Sequence, residues 1–426
     1  MMKTSLKIAT ATAVSALLCS NAYAGYSITK KVGDIDTKLT IFGFSQLEMR
    51  GGDGSANGGV NDSAVSFHAQ RIRLGWKYTA DKVLSKVFID FNKDSAANST
   101  VDAGGVSGIG VPDTIKDAFI AYRFDKSFVP KLGVIKMPHG MSFTMPGWNL
   151  DVAERGLDKK LVLERAMGLM ISGRDIGFGN YAKVSGYEMG HERPWKGFGY
   201  DLMIGNQAGR SAAVINAKEG NGNSYAARVM FDWTELFHLE ASYAVSENAG
   251  GIEGQTAYKL SDGFVDDNGK EFVAYSTKKL TEDTEDYESY DIGFDSHFAN
   301  GANIKFEYIS AHNIKGVKDY DESTFSAMAQ YAINSTFEPT IKHIQATATK
   351  GSDADSTTLG NTYFGLNIFY DNIDDKMSRS AKRRRNSNKV VLNYIYSSGD
   401  TKGDDAFSGL GGYKADAWIM QWQAKF

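Results

Sequence analysis

From residue 38 onward the chain is written largely with a period of two. In Arg71–Tyr78, Ile72, Leu74, Trp76 and Tyr78 fall on one side and Arg71, Arg73, Gly75 and Lys77 on the other, as successive side chains of a strand must. Val87, Ile89 and Phe91 alternate with Lys86, Phe88 and Asp90. Tyr225, Ala227, Val229, Phe231 and Trp233 alternate with Ala226, Arg228, Met230 and Asp232. Leu239, Ala241, Tyr243 and Val245 stand against His238, Glu240, Ser242 and Ala244, and Ile304, Phe306 and Tyr308 against Lys305 and Glu307. The last segment sets Trp418, Met420, Trp422, Ala424 and Phe426 against Ile419, Gln421, Gln423 and Lys425. The pattern predicts strands at 38–49, 65–79, 83–92, 113–124, 130–137, 170–186, 195–206, 222–233, 236–246, 287–298, 302–312, 322–333, 338–349, 360–370, 388–398 and 414–426, an even count of sixteen.

A soluble sandwich also alternates. Two features separate this chain from one. Its segments run to about ten residues, against roughly 5–6 for a typical soluble strand. Its connections also alternate in length. Ala80–Lys82, Asp125–Val129, Thr234-Glu235, Ala299–Gly301 and Asn334–Phe337 are short, whereas Gly51–Gly59, Lys93–Pro112, Pro138–Leu169 and Ser246–Asp286 are long and rich in Gly, Asp and Asn. Tight turns on one rim and long loops on the other describe an all-β, transmembrane antiparallel β-barrel of about sixteen strands, its tight rim periplasmic. Asp371–Ser387 breaks the rule. It should be a tight turn, yet it is long and carries Lys382-Arg383-Arg384-Arg385.

Composition fits that architecture. Gly is 45 of 426 residues, aromatics are 12% and Pro is only 6. No later stretch approaches the ~20 apolar residues of a membrane helix. At the start, Met1–Lys7 carries two lysines and no acid, Ile8–Cys19 is apolar, and Ala22-Tyr23-Ala24 offers a small-residue cleavage site. A cleaved leader over 1–24 is expected, leaving 25–426 as a single barrel. Leu18 stands where a lipobox needs a small residue, which argues against a lipid anchor at Cys19. Cys19 is the only cysteine, so the mature chain is expected to have no disulfide. A formal net charge of −4 gives no nucleic-acid footprint.

One stretch carries a family likeness. Asp113–Arg123 (DTIKDAFIAYR) leads into Lys131–Gly140 (KLGVIKMPHG), then Glu154-Arg155, Leu163-Glu164-Arg165 and Gly173-Arg174-Asp175-Ile176-Gly177. This resembles the phosphate-selective porin O and P family, with its DAY-type strand, its VG-x-x-K-x-P-x-G hairpin and its E-R pair ahead of a GR-x-x-G strand. The likeness covers about 113–180; elsewhere it is the strand pattern and the terminal aromatic. It implies a homotrimer of sixteen-stranded barrels in the outer membrane of a Gram-negative bacterium. It also implies that the third extracellular loop, about Pro138–Leu169, folds inward and narrows a pore. Phe426, with Trp422 and Met420 on its face, is similar to the signal read by the barrel-assembly machinery.

The charged residues are the candidate chemistry. Arg71, Arg73, Lys77, Arg123 and Lys136 are expected as a basic stripe in the lumen. Such a stripe selects anions by offsetting their dehydration, and Arg can grip phosphate bidentately. The competing reading is a solvated wall balanced by Asp90, Asp117, Glu240, Asp291 and Asp295. In the loop, Asp151, Glu154, Asp158 and Glu164 stand against Arg155, Lys159, Lys160 and Arg165. A transverse field follows if the two signs face each other. A small helix with internal pairs is the alternative, but Glu154–Asp158 and Arg155–Lys159 are like-charged at i,i+4, which favours partners on the wall.

Other features read as bland. The 382–385 run reads as a solvated turn. Glu282–Asp291 and Asp262–Glu271 lack calcium-loop spacing. Gly177–Ala182 reads as strand where a dinucleotide fingerprint needs a helix. The histidines, among them His68, His139, His191 and His238, lack metal spacing, and no nucleophile elbow is present. The expectation is a non-enzymatic, cofactor-free, water-filled channel for passive diffusion of small hydrophilic solutes, with anions such as phosphate as the candidate favoured class. The alternative is a structural or adhesin-like barrel binding extracellular partners through its long loops. Expected partners are outer-membrane lipid, small ions or solutes, further copies of the chain, and the assembly machinery.

Overall fold

The computed structural model describes residues 25–52, 65–92, 114–177, 196–207, 222–233, 236–247, 256–260, 264–265, 271–272, 275–279, 285–298, 300–350, 356–370, 388–399 and 412–426. The expected leader at 1–24, the basic run at 382–385 and most of 246–286 lie outside them. The strands are β1 Tyr26–Val32, β2 Ile35–Gly52, β3 Ser66–Ala80, β4 Val83–Asp90, β5 Ile115–Tyr122, β6 Val129–Lys136, β7 Arg165–Ile176, β8 Lys196–Asn206, β9 Asn223–Trp233 and β10 Phe237–Ser246. Four short ones follow in the fifth long connection, β11 Thr256–Leu260, β12 Phe264–Val265, β13 Glu271–Phe272 and β14 Tyr275–Lys279, paired as two hairpins. The chain ends with β15 Tyr287–His297, β16 Ala302–His312, β17 Tyr320–Tyr331, β18 Phe337–Lys350, β19 Thr357–Phe369, β20 Lys389–Gly399 and β21 Ala417–Lys425.

Each strand from β2 to β10 and from β15 to β21 pairs antiparallel with its sequence neighbour, and β21 returns to β2, so sixteen strands close. Hydrocarbon cannot hydrogen-bond the backbone, so only a sheet without edges satisfies every N–H and C=O there. The seam is sealed by the chain's last residue: Phe426 N–H donates to the Gly43 carbonyl at 3.0 Å, and Gly43 N–H donates to the Phe426 carbonyl at 2.9 Å.

The period of two now has a meaning. On β3, Ile72, Trp76 and Tyr78 are exposed while Arg71 is buried; on β8, Phe198, Leu202 and Ile204 are exposed while Asp201 is buried. Buried acids and bases inside, with exposed Phe, Leu, Ile and Tyr outside, invert a soluble protein and suit a wall between lipid and lumen.

Three details differ from the sequence reading. The sixth strand runs Arg165–Ile176, not 170–186: its first residues find partners on β6 from Lys136↔Arg165 onward, and Gly177, at φ 99°, turns the chain away. The third long connection is therefore 137–164. The 177–195 connection joins β7 to β8 on the tight-turn rim and is long, as is 370–388. And β1 was not expected as a strand. It pairs only with the first half of β2, Tyr26↔Ile41 through Val32↔Ile35, and occupies the lane that β21 leaves where Phe426 ends opposite Gly43.

A Cβ at residue 43 would sit 2.5 Å from the Arg73 carbonyl oxygen and 2.6 Å from the Phe426 ring. Gly43→Val should therefore open the seam, destabilising the barrel by on the order of 1–3 kcal/mol. The check is the temperature at which the compact band converts to the unfolded one on detergent gels, which should fall.

Candidate functional site

The 137–164 connection crosses the barrel interior and touches the inner face of strands around it. It carries a one-turn helix, α1 Met141–Thr144, and two 3₁₀ turns, Gly147–Asn149 and Leu157–Leu161. Met137, Phe143, Val152, Leu157, Leu161, Val162 and Leu163 are almost fully buried, in one apolar cluster with Ile309, Ile344, Leu359, Tyr363, Val391 and Ile395 of the β16–β20 wall. The cluster also takes in Ile135, Ala166 and Met170 of β6 and β7, so the segment is packed like a protein core. Gly156 is pressed against Ile344, where a Cβ would overlap its Cδ1. His139, kept neutral because burial pulls its pKa down to about 4, accepts the Leu163 N–H at 3.4 Å and ties the two ends of the segment together.

Polar contacts fix the rest. Gln46, Gln421 and Gln423 side chains donate to the carbonyls of Gly147, Ala153 and Trp148, Lys389 donates to the Leu150 carbonyl, and Asn393 accepts the Ala153 N–H. Asp151 pairs with Lys305 on β16. Burial alone would raise the Asp151 pKa; the bonded Lys305 ammonium outweighs it and holds the carboxyl below its ordinary range. Glu154 accepts from Arg50 at 3.1 Å and Gln70 at 3.3 Å, and from the hydroxyl of Tyr413, which descends from the last long connection. Burial, and then Glu154, push the Tyr413 pKa up, so the hydroxyl keeps its proton and donates it.

The β3–β7 wall is basic. Arg73 on β3 pairs with Asp90 at 2.9 Å; Lys86 on β4 and Arg165 on β7 both pair with Asp117 on β5, at 2.7 and 3.3 Å. Arg71 has no carboxylate among the described residues and donates to Gln46 Oε1. Lys136 and Arg155 donate to backbone carbonyls: Lys136 to Phe143 at 2.9 Å, Arg155 to Ser142 and Phe143 at 3.2 Å each. Six cations thus gather here; Asp90 and Asp117 pair with three of them, and Glu48, Glu154, Asp158 and Glu164 stand close enough to act on Arg71, Arg155 and Arg165. Arg155 records the resulting field. Its pKa is drawn down to about 9 by burial first, then by the positive charges of Arg71 and Arg73.

Across α1 the sign reverses. The Ser142 N–H donates to Glu307 Oε1 at 2.9 Å, and its hydroxyl also bonds that carboxylate. Asp291 and Glu240 are buried nearby on β15 and β10, and Ser242, which accepts the Gly140 N–H, donates to Asp291. The Ser142 amide of α1 thus meets an acid while the last carbonyls meet Lys136 and Arg155, the orientation the helix dipole favours.

The candidate residues do not all gather here. Arg71, Arg73, Asp117, Lys136, Arg155 and Arg165 do. Asp151 and Glu154 bond the wall. Asp158 is buried with neither carboxylate oxygen hydrogen-bonded among the described residues. Lys159 is exposed, 3.5 Å from Glu164; Lys160 is half-buried on the same turn. Lys77 is half-buried lower on β3, in register with Lys86. Arg123 is misplaced by the sequence reading. It lies beyond the end of β5, exposed on the tight-turn rim, its N–H on the Lys82 carbonyl at 2.8 Å. Parity gives a face, but β5 ends before residue 123. Lys86, Lys305, Glu307 and Tyr413 were missed; the first three carried the inward parity, and Tyr413 carried no periodic signal.

No protein-family model matches the chain, and no curated protein matches it. Solved structures do. The outer membrane channel DcaP of Acinetobacter baumannii superposes with a TM-score of 0.56 at 12% identity, over 95% of this chain and 100% of that one. An anion-selective porin from Comamonas acidovorans gives 0.53 at 9%, over 92% and 100%. A loop-deletion form of OmpT, an outer membrane protein of Vibrio cholerae, gives 0.53 at 10%, over 92% and 99%. The fold is that of the outer-membrane porins. At such identities the likeness is one of architecture.

The Asp151–Lys305 pair sets a pH dependence. The folded-state pKa is depressed, so the stabilisation is present above the unfolded value of about 3.9 and is lost as pH falls through the folded value. Wild type should lose part of its anchoring below about pH 4, whereas Asp151→Asn should start weaker at neutral pH and change less on acidification. Heat conversion on detergent gels at neutral and acid pH tests both.

Proposed function

We propose that this chain is an outer-membrane porin, a water-filled channel through which small hydrophilic solutes diffuse passively and which favours anions. The observation that carries the reading is the cluster of Arg71, Arg73, Lys86, Lys136, Arg155 and Arg165, in which Arg71, Lys136 and Arg155 bond to no carboxylate among the described residues. An ion entering a narrow lumen loses hydration, and fixed charges of opposite sign offset that loss. The 137–164 segment narrows the lumen, and a passing anion meets Arg73, Lys86, Lys136 and Arg155 on its β3–β7 side. Glu307 and Asp291 lie across α1 from this cluster. The fold likeness to an anion-selective porin supports the preference, and the fold likeness to OmpT of Vibrio cholerae in its trimer form supports a homotrimer. Phosphate is one candidate solute within the anion class.

The test is reversal potential in a planar bilayer under a salt gradient. Wild type should pass anions more easily than cations. Arg73→Gln/Arg155→Gln should lower the permeability ratio several-fold while steps of current persist. Protein that inserts and never conducts would sink the channel, and a cation preference in wild type would sink the selectivity.

A further inference from the structure

Arg123 and Lys82 occupy adjacent tight turns, β5–β6 and β3–β4, held side by side by the Arg123 N–H on the Lys82 carbonyl at 2.8 Å. Both are exposed, and neither has a carboxylate partner among the described residues. Beside them, three aromatic side chains stand in the open. Tyr122 is 41% exposed, Phe124 58% and Phe128 40%. They pack in series, Tyr122 edge-on against Phe124 at 4.7 Å and Phe124 tilted against Phe128 at 5.5 Å. Tyr122 follows Ile120 on the outward parity of β5, so the series continues the lipid face down onto the turn. Phe on a turn in water has nothing to bury against; in the headgroup zone it does.

The charge of this rim is distinct from that of the chain. The feet of β1–β6 carry Lys30, Lys31, Lys38, Lys82, Arg123 and Lys126 against Asp34, Asp36, Asp81 and Asp125, whereas the whole sequence is net −4. Asp125 is folded back on its own turn, accepting the Ser127 N–H at 2.5 Å and hydroxyl at 2.6 Å. It is thus turned to its own backbone, while Lys82 and Arg123 are left to reach outward. An aromatic body that enters the bilayer edge, next to two cations at headgroup depth, is complementary to a lipid with a net negative phosphate.

We propose that the β3–β4 and β5–β6 turns form a binding site for an anionic phospholipid of the leaflet on the tight-turn side, with the phosphate held between Lys82 and Arg123 and the acyl chains against Tyr122, Phe124 and Phe128. The site depends on the barrel lying in the membrane and is independent of what the lumen conducts.

Native mass spectrometry of the full, detergent-folded protein tests it, with phosphatidylglycerol and phosphatidylcholine of the same acyl chains offered at equal concentration. Wild type should retain phosphatidylglycerol preferentially, by about fivefold or more if each cation contributes as basic residues at a membrane surface do. Lys82→Gln/Arg123→Gln should bring that ratio close to one, and Lys82→Arg/Arg123→Lys should keep it. Unaltered heat-modifiable migration shows that each variant is folded. Equal retention by wild type overturns the proposal without needing any variant. So does a preference unchanged in the glutamine variant, or its replacement by Lys82- and Arg123-dependent sedimentation with isolated peptidoglycan.

Discussion

Hydrocarbon offers a peptide group nothing to bond with, and the rest of this molecule depends on that. A backbone N–H or C=O left unpaired at that depth costs several kcal/mol, so β21 has to return to β2. Gly43 and Phe426 exchange the last two bonds, and Gly43 is needed because no side chain fits between the Arg73 carbonyl and the terminal ring. Closure then dictates everything about the side chains. With the outer face given to lipid, each second residue must turn its polar group inward, and a barrel of sixteen strands has more interior than its own side chains fill.

What fills it is 137–164, and it is held by two kinds of force on two sides. Against β16–β20 it is apolar and close-packed, so it is seated as a core element rather than hung as a flexible loop. Against β2, β20 and β21 it is hydrogen-bonded, carbonyl by carbonyl, to amide side chains and Lys389. Its charged contacts do less for stability than for position. Removing ions from water offsets much of the gain from pairing them, yet Asp151 on Lys305 and Glu154 on Arg50 and Tyr413 each fix one point of the segment against a different strand. Fixed in that way, α1 points its Ser142 amide at Glu307 and its last carbonyls at Lys136 and Arg155.

The wall was legible from sequence because a period of two reports a face directly. Arg71, Arg73, Lys86 and Asp117 are on the face that alternation gave them. Height along the barrel was less legible. Arg123 has the parity of a lumen residue but lies past the strand's end, and Arg165–Leu169 reads as loop until β6 supplies partners. The first strand, Tyr26–Val32, is exposed throughout, so burial imposes no pattern on it. Partners inside the segment were illegible for a different reason. Tyr413 meets Glu154 across 259 residues of sequence, and no local rule connects them.

Height also decides what a cation does. Arg73 and Arg123 are the same residue type, fifty positions apart; one is enclosed by Asp90 and two Phe rings, the other stands beside exposed aromatics at the rim. Within the lumen the distinction continues. A bidentate grip on phosphate needs a guanidinium with free, parallel donors. Here Arg73 and Arg165 are committed to carboxylates, Arg71 to Gln46, and Arg155 to the carbonyls at the end of α1. Their charge reaches the aqueous path while most of their donors do not. Under the proposed channel function, such a cluster acts through its field, and it would sort solutes by sign more strongly than by the identity of the anion.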